Sequence, residues 1–196
     1  MKSFLLFLFI AFSTISFSQK AYKDSMNAYH RNYVQQHSVV KGEEKKLITF
    51  YNADAAYRVV ADFKSSSTSS WIRFKTSGKQ DQVYRVYGTV SFQLKGKTYQ
   101  LNIYQSQDLM TNPQFKNYLF LPFTDSTTGY ETYSGGRYID LTTEDVVNKK
   151  VVIDFNKAYN PYCAYVNGVY TCPIPPKENA LAVSIKAGEK AFKTAH

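Results

Sequence analysis

The chain of 196 residues is poor in the residues on which much enzyme chemistry depends, with two Cys, three His and one Trp. Three histidines leave few residues from which a histidine-based catalytic triad or a multi-histidine metal site could be formed. The sequence also lacks a Gly-x-Ser-x-Gly motif, a phosphate-binding glycine loop, a His-Glu-x-x-His motif and a dinucleotide fingerprint. These absences argue against several large enzyme classes, and we predict no metal and no cofactor.

Long apolar runs are missing beyond the N-terminus. There, Lys2 precedes an apolar run over residues 4–12, and Ser16 and Ser18 are small residues at the positions that a signal peptidase reads. This run is shorter than the roughly 20 residues needed to cross a bilayer. We predict a signal peptide at residues 1–18 and no membrane anchor. The mature chain would begin at Gln19 and be exported to the periplasm or outside the cell.

Charge of one sign is not concentrated anywhere in the chain. The formal net charge is +9, but basic residues alternate with acidic ones, as in residues 41–46 and 186–190. Nucleic-acid-binding proteins usually gather their basic residues in a patch or stripe. We therefore predict no nucleic-acid partner. A hydrophobic fraction of 44% is enough for a packed core and excludes a disordered chain.

The segment of residues 19–46 has the pattern of a helix, over residues 21–37. Tyr22, Met26, Tyr29 and Tyr33 recur at intervals of three and four, which places them on one face. His30 and His37, seven residues apart on this helix, are expected to be exposed to solvent.

From residue 47 the hydrophobic period changes to two, which indicates β-strands. Strands are predicted over residues 55–63 and 71–76, and a hairpin with one buried face over residues 84–94 and 99–103, with its turn at residues 95–97. Continuous apolar runs predict central strands at residues 118–123 and 151–155, and a last strand at residues 180–185. We expect one mainly β domain over residues 47–193, an antiparallel sandwich or partly open barrel with an N-terminal α-helix.

Polar and tyrosine residues crowd into two segments, residues 121–140 and 154–179. Their motifs are Phe123, Asp125 to Gly129, Tyr133, Gly136-Arg137-Tyr138, Asp154 to Asn156, Tyr159 to Pro161, Cys163-Ala164 and Cys172 to Pro176. In these motifs the sequence resembles number sixteen eighty-four in the series of domains of unknown function. The resemblance implies a shared fold and site architecture but no particular activity. Tyr162 stands where the family often has a second proline.

Five residues of these segments are candidates for binding a small anionic ligand: Tyr133, Arg137, Asp140, Asn156 and Asn160. The guanidinium of Arg137 suits a carboxylate or phosphate, and the preceding glycines would allow close approach of the backbone. The alternative, which we favour, is that Asp125, Asp140 or Asp154 holds Arg137 in a structural ion pair.

A second hypothesis is a hydrolase that uses carboxylates of the same cleft. The weaker catalytic candidates are Asp154, Glu131 and Glu178, because paired carboxylates can support glycoside or ester cleavage. A purely structural use of these polar residues in turns is the third alternative.

Cys163 and Cys172 are separated by eight residues. In an exported chain with two cysteines a disulfide is the leading interpretation. Metal binding is the lesser alternative, because the spacing differs from that of the usual zinc pairs.

Overall fold

A computed structural model describes the backbone of residues 2–66 and 69–193, and the side chains of residues 19–66 and 69–193. The predicted signal peptide, residues 1–18, lies outside the part whose side chains are described. Within the described residues, no helix combines the length and hydropathy that crossing a membrane requires.

Over residues 2–66 and 69–193, two helices and eight strands form the framework. Helix α1 spans Lys2–Gln36, and the short helix α2 spans Gln107–Met110. The strands are β1 (Arg58–Ser65), β2 (Ile72–Phe74), β3 (Gln82–Leu94), β4 (Lys97–Ser106), β5 (Tyr118–Asp125), β6 (Arg137–Thr142), β7 (Lys150–Asp154) and β8 (Ala180–Leu181). Single turns of 3₁₀ helix join several of them, including Phe155–Lys157 and Tyr162–Ala164.

The strands form one sheet in the order β6-β5-β4-β3-β1-β7, with β2 paired to β3 and β8 paired to β5. All pairs are antiparallel except β5 with β8. The sheet curls into a half-barrel, which confirms the predicted mainly β fold with an N-terminal helix.

The β3–β4 hairpin turns at Lys95 and Gly96, whose φ angles are 50° and 75°. Positive φ at both positions suits the right-handed twist of the two strands. At Tyr87 a bulge shifts the register between Val86 and Gly88. Since a bulge adds one residue to one strand, it moves the following side chains to the opposite face. The prediction of one buried face was wrong, because the hairpin is buried on both faces at different points along its length.

The two faces of the sheet carry different clusters. The core face bears the main hydrophobic core, which includes Val90, Leu101, Leu121, Ile153 and Phe155. The opposite face, here called the aromatic face, bears a smaller cluster of Phe74, Tyr84, Tyr104, Phe120 and Tyr138. Strand β5 alternates between the two, so that its side chains are buried on both faces, as predicted for residues 118–123.

Two strand predictions differ from the structure. Residues 151–155 were expected to form a central strand, but β7 lies at the sheet edge, pairs with β1, and leaves Val152 exposed. Residues 180–185 were expected to be a full strand, whereas β8 ends at Leu181. The chain leaves the sheet there because Ile185 covers the core and its carbonyl accepts a hydrogen bond from Arg137.

The expected exposure of the helix histidines was also wrong. His30 and His37 are buried because α1 docks on the segment that follows β7. The His30 Nε2 atom donates to the Asn156 carbonyl at 2.7 Å, and its ring stacks on Phe50 at a centroid distance of 4.0 Å. The His37 Nδ1 atom accepts from the Val40 amide at 3.0 Å.

A buried ion pair ties the C-terminal segment to the sheet. Nη2 of Arg137 lies 2.8 Å from Oδ2 of Asp125, and neither side chain is more than 1% exposed. The Arg137 guanidinium also donates to the carbonyls of Ile185, Ala187 and Glu189. Asp125 Oδ1 accepts from Thr127 and from the Ile185 amide. This arrangement agrees with the structural alternative for Arg137, with Asp125 as its partner.

Replacing Arg137 with leucine is expected to destabilise the fold by about 3–5 kcal/mol, because it leaves the Asp125 carboxylate buried without its cation. Urea denaturation followed by circular dichroism measures the free energy of unfolding. Lys186→Ala is the control, since Lys186 forms an exposed pair with Glu131, and its denaturation midpoint should stay close to that of the wild type. A cost below about 1 kcal/mol for Arg137→Leu would contradict the role of the buried pair.

Candidate functional site

A cavity of about 520 Å³ opens beside the aromatic face, between α1, β6 and the disulfide loop. We call it the tyrosine cavity. Its wall includes six tyrosines, Tyr29, Tyr33, Tyr138, Tyr159, Tyr162 and Tyr170, together with His37, Asp140 and Lys157. A volume of this size is typical of small-molecule sites.

Asp140 is the single carboxylate of the cavity lining. It stands two residues after Tyr138 on β6, so both side chains project from the aromatic face. The hydroxyls of Tyr118 and Tyr159 both donate to Oδ1 of Asp140, at 2.7 and 2.6 Å. Among the described residues, Oδ2 of Asp140 has no hydrogen-bond partner. Half of this carboxylate is therefore available to a ligand.

The pKa values of Asp140 and of the two tyrosines bonded to it are shifted by their surroundings. Asp140 is exposed to solvent on β6, but the protein atoms packed around its carboxylate raise its pKa by desolvation. The two tyrosine hydrogen bonds lower this pKa. Burial, together with the negative charge of Asp140, raises the pKa of Tyr118 and Tyr159 well above the usual value. Both hydroxyls are therefore protonated at neutral pH and act as donors.

Backbone pairing places Tyr159 beside β6. Tyr138 and Tyr159 exchange two backbone hydrogen bonds, of 2.9 and 3.0 Å, at the open edge of this strand. Their rings meet edge to face with centroids 5.9 Å apart. On the other side, the Tyr33 ring of α1 lies 6.1 Å from that of Tyr159. The cavity wall is thus a set of mutually packed aromatic rings on three chain segments.

The disulfide loop closes one side of the cavity. Cys163 and Cys172 are joined at an S–S distance of 2.03 Å, as predicted. Tyr170 and Cys172 of this loop line the cavity, and the Tyr170 ring packs 5.0 Å from that of Tyr162. The cross-link holds a segment with little regular hydrogen bonding in the position where it forms a wall.

A buried glutamate joins α1, the disulfide loop and the C-terminal segment. Glu189 is fully buried, and its carboxylate accepts from the Asn160 amide at 2.9 Å and from the Tyr165 hydroxyl at 2.6 Å. The Tyr33 hydroxyl contacts the same carboxylate at 3.5 Å. No lysine or arginine of the described residues forms an ion pair with Glu189. Burial raises its pKa to about 7.

The structure separates the residues that were predicted to bind a ligand. Of the five, only Asp140 lines the tyrosine cavity. Arg137 lies in the core, bound to Asp125. Asn156 and Asn160 are fully buried and bond to neighbouring backbone, and the Tyr133 hydroxyl donates to the Cys163 carbonyl at 3.4 Å, outside the cavity lining.

The three catalytic candidates do not meet either. Asp154 accepts from the Tyr22 hydroxyl at 2.9 and 3.0 Å and holds the helix against the domain. Glu131 lies at the surface, paired with Lys186 at 2.9 Å. Glu178 is exposed on a separate 3₁₀ turn. No two of these carboxylates share the tyrosine cavity.

Several residues of the site were missed by reasoning from sequence. Tyr29 and Tyr33 were assigned to a packing face of the helix, and Tyr118 and Lys157 were not singled out. The available signal was the tyrosine-rich composition of residues 130–170 combined with the spacing of Tyr138 and Asp140, which places both on one face of a strand.

The side chains described show no metal-binding group of three or more His, Cys, Asp or Glu residues. The polar groups of the cavity lining are one carboxylate, one ammonium, one imidazole, one amide and several hydroxyls, which can form hydrogen bonds with an organic ligand.

The fold and the cavity define a class of protein. Its members have one curled, mainly antiparallel sheet and an N-terminal helix that contributes a wall of a tyrosine-lined cavity. The sequence profile of a family described as "Protein of unknown function (DUF1684)" matches residues 44–190, and the chain belongs to this family. Among curated proteins, none matches the chain.

A solved structure supports the fold assignment. The chain is similar to an uncharacterised protein of Haloarcula marismortui whose structure was determined by NMR in solution, with 29% sequence identity and a TM-score of 0.64. The alignment covers 88% of this chain and 96% of the haloarchaeal one. The two proteins therefore share the fold over nearly their whole length.

Glu189 is expected to make stability depend on pH. Its folded pKa of about 7 lies above the ordinary 4.5, so the folded state holds this proton more tightly than the unfolded state. The free energy of unfolding should therefore fall as pH rises from about 5 to about 8, by roughly 2–3 kcal/mol relative to Glu189→Gln. Glutamine keeps the shape, since its amide oxygen can accept from Asn160 and its NH₂ group can donate to the Tyr165 oxygen.

Urea denaturation at four pH values between 5 and 8 measures this difference. Glu178→Gln, at an exposed glutamate, is the matched control and should keep the slope of the wild type. Parallel stability profiles for the wild type and Glu189→Gln would show that Glu189 is not the titrating group.

Proposed function

We propose that this protein is an exported small-molecule-binding protein whose ligand occupies the tyrosine cavity. The observation that carries the proposal is the combination of an open cavity of about 520 Å³, tyrosine walls and an Asp140 carboxylate with one unbonded oxygen. Aromatic surface supplies contact area, and a few polar groups fix the orientation of a ligand.

The arrangement supports binding over the other two hypotheses. Glycoside hydrolysis by the usual mechanism requires two carboxyl groups on opposite sides of the scissile bond, and Asp140 stands alone in the cavity lining. A purely structural role would predict that the polar cluster is filled by the protein's own side chains. That description fits Arg137 and Asn156, but the cavity beside Asp140 is open.

The charge of the cavity also changes the expected ligand. An anion was expected because of Arg137, but this side chain is buried in the core, where its two Nη atoms donate to Asp125 and to backbone carbonyls. The cavity instead offers the Asp140 carboxylate on β6 and the exposed Lys157 in its lining. The binding proposal therefore depends on the groups that line the cavity and not on recognition of an anion by Arg137.

Export is supported by the N-terminal signal pattern and by the disulfide, which is stable in oxidising compartments. When the full chain is expressed in a bacterial host with its own leader, the purified protein is expected to begin at Gln19 and to contain the Cys163–Cys172 bond. Intact-mass spectrometry with and without reductant tests both points. An uncleaved chain, or two thiols that alkylate without reduction, would contradict the proposal of export.

A screen of small organic fragments by protein-observed NMR tests the binding function. At least one fragment is expected to give saturable shifts in the backbone signals of Tyr138, Asp140 and Tyr159. Gln36→Trp places a large side chain at the cavity wall and should weaken this binding about tenfold or more. Gln35→Trp is the matched control, because Gln35 is the neighbouring exposed helix residue and does not line the cavity.

The proposal is contradicted if saturable shifts occur only away from the cavity, or if Gln36→Trp and Gln35→Trp bind equally well. A screen without any saturable shift at these three residues would also count against it.

A further inference from the structure

The Asp140 carboxylate has no cationic partner. Its nearest polar contacts are the two tyrosine hydroxyls on Oδ1, and none of the ion pairs among the described residues includes it. The buried carboxylates differ, because Asp125 is neutralised by Arg137, and Asp154 and Glu189 are hydrogen-bonded on both oxygens. Asp140 is thus a negative charge in the lining of an open cavity, and one of its oxygens is not bonded to a described residue.

The aromatic wall already carries a cation at one point. Nζ of Lys157 lies over the ring of Tyr29, 5.5 Å from its centroid. Tyrosine rings attract cations through the negative charge of their faces. Five further tyrosines line the same cavity, so this chemistry extends beyond the contact that Lys157 makes.

We infer that the ligand of the tyrosine cavity is a small organic ammonium, with its positive nitrogen directed at Asp140 and its carbon substituents against the tyrosine rings. The inference rests on the proposed binding function and specifies its ligand class. A protonated amine can donate to the unused Oδ2, and a quaternary ammonium meets the same carboxylate and rings through its charge.

The competing ligand classes meet less favourable surroundings. An inorganic or organic anion would meet the same sign of charge at Asp140, and Arg137 is not accessible to compensate. Lys157, the cation of the lining, lies over the Tyr29 ring. A neutral sugar could use the carboxylate as an acceptor and the rings for stacking, but it would leave the negative charge of Asp140 without a counter-charge.

Calorimetric and NMR titration with choline and with its neutral isostere 3,3-dimethylbutan-1-ol tests the inference on the wild-type protein. The two probes share size and shape and differ in charge. Choline is expected to shift the signals of Tyr138, Asp140 and Tyr159 and to bind at least tenfold more tightly than the alcohol. An n-butylamine titration shows whether a primary ammonium binds as well, and glucose and inorganic phosphate represent the neutral and anionic classes.

Asp140→Asn tests the role of the carboxylate. Asparagine keeps an oxygen that accepts from Tyr118 and Tyr159 but removes the charge, so choline affinity should fall at least tenfold. Asp62→Asn is the matched control, because it makes the same change at an exposed aspartate paired with Lys150 and should leave choline affinity unchanged.

The outcomes distinguish failure of the ammonium inference from failure of the proposed binding function. Equal binding of choline and its neutral isostere, or tighter binding of glucose or phosphate at the cavity, would overturn the ammonium inference and leave the binding function standing. If neither these probes nor any fragment of the screen shifts the cavity signals, both are wrong.

Discussion

The buried ion pair of Arg137 and Asp125 is the interaction on which the rest of the structure depends. Three carbonyls of the C-terminal segment accept hydrogen bonds from one guanidinium, which fixes residues 185–189 against the main hydrophobic core. These carbonyls have no strand partner, so the arginine supplies the donors that a sheet would otherwise supply. Gly136 makes the arrangement possible, because a side chain there would meet the Phe123 carbonyl at 2.7 Å.

The segment that Arg137 holds in place also brings Glu189 to its buried position. There the Glu189 carboxylate accepts from the Tyr165 hydroxyl and contacts the Tyr33 hydroxyl of α1. The Asp154 carboxylate accepts from the hydroxyl of Tyr22, which lies earlier in α1. Two carboxylates therefore orient the helix through tyrosine hydroxyls. Because the helix contributes one wall of the tyrosine cavity, the shape of the site depends on these buried contacts, although neither carboxylate belongs to the cavity lining.

Features of the fold that depend on neighbouring residues could be predicted from the sequence, whereas features that depend on distant residues could not. The period-two pattern was sufficient for the hairpin, and the turn at Lys95 and Gly96 follows from the residues that tolerate positive φ. The bulge at Tyr87 left no clear mark in the alternation, yet it decides which side chains face the core and which face the cavity side. Strand order was equally inaccessible, so β7 was misplaced from the edge to the centre of the sheet.

For the site, one of the five predicted ligand-binding residues lines the tyrosine cavity and four do not. Arg137 and Asn156 have the side chains that ligands use, but the same hydrogen-bonding capacity satisfies buried backbone, and only packing distinguishes the two uses. Asp140, predicted to bind a ligand, lines the cavity. Its importance comes from what surrounds it, since the hydroxyls of Tyr118 on β5 and Tyr159 after β7 donate to it, and tyrosines of α1 line the same cavity.

The sequence by itself determined the β-rich class, the N-terminal helix, the cysteine pairing and the family, because these follow from periodicity, from the number of cysteines and from local motifs. The tertiary structure alone decided that Arg137 belongs to the core and that Asp140 faces a cavity. The physical reason is that burial and charge compensation are properties of the space around a side chain. That space is filled by residues that lie far apart in the chain.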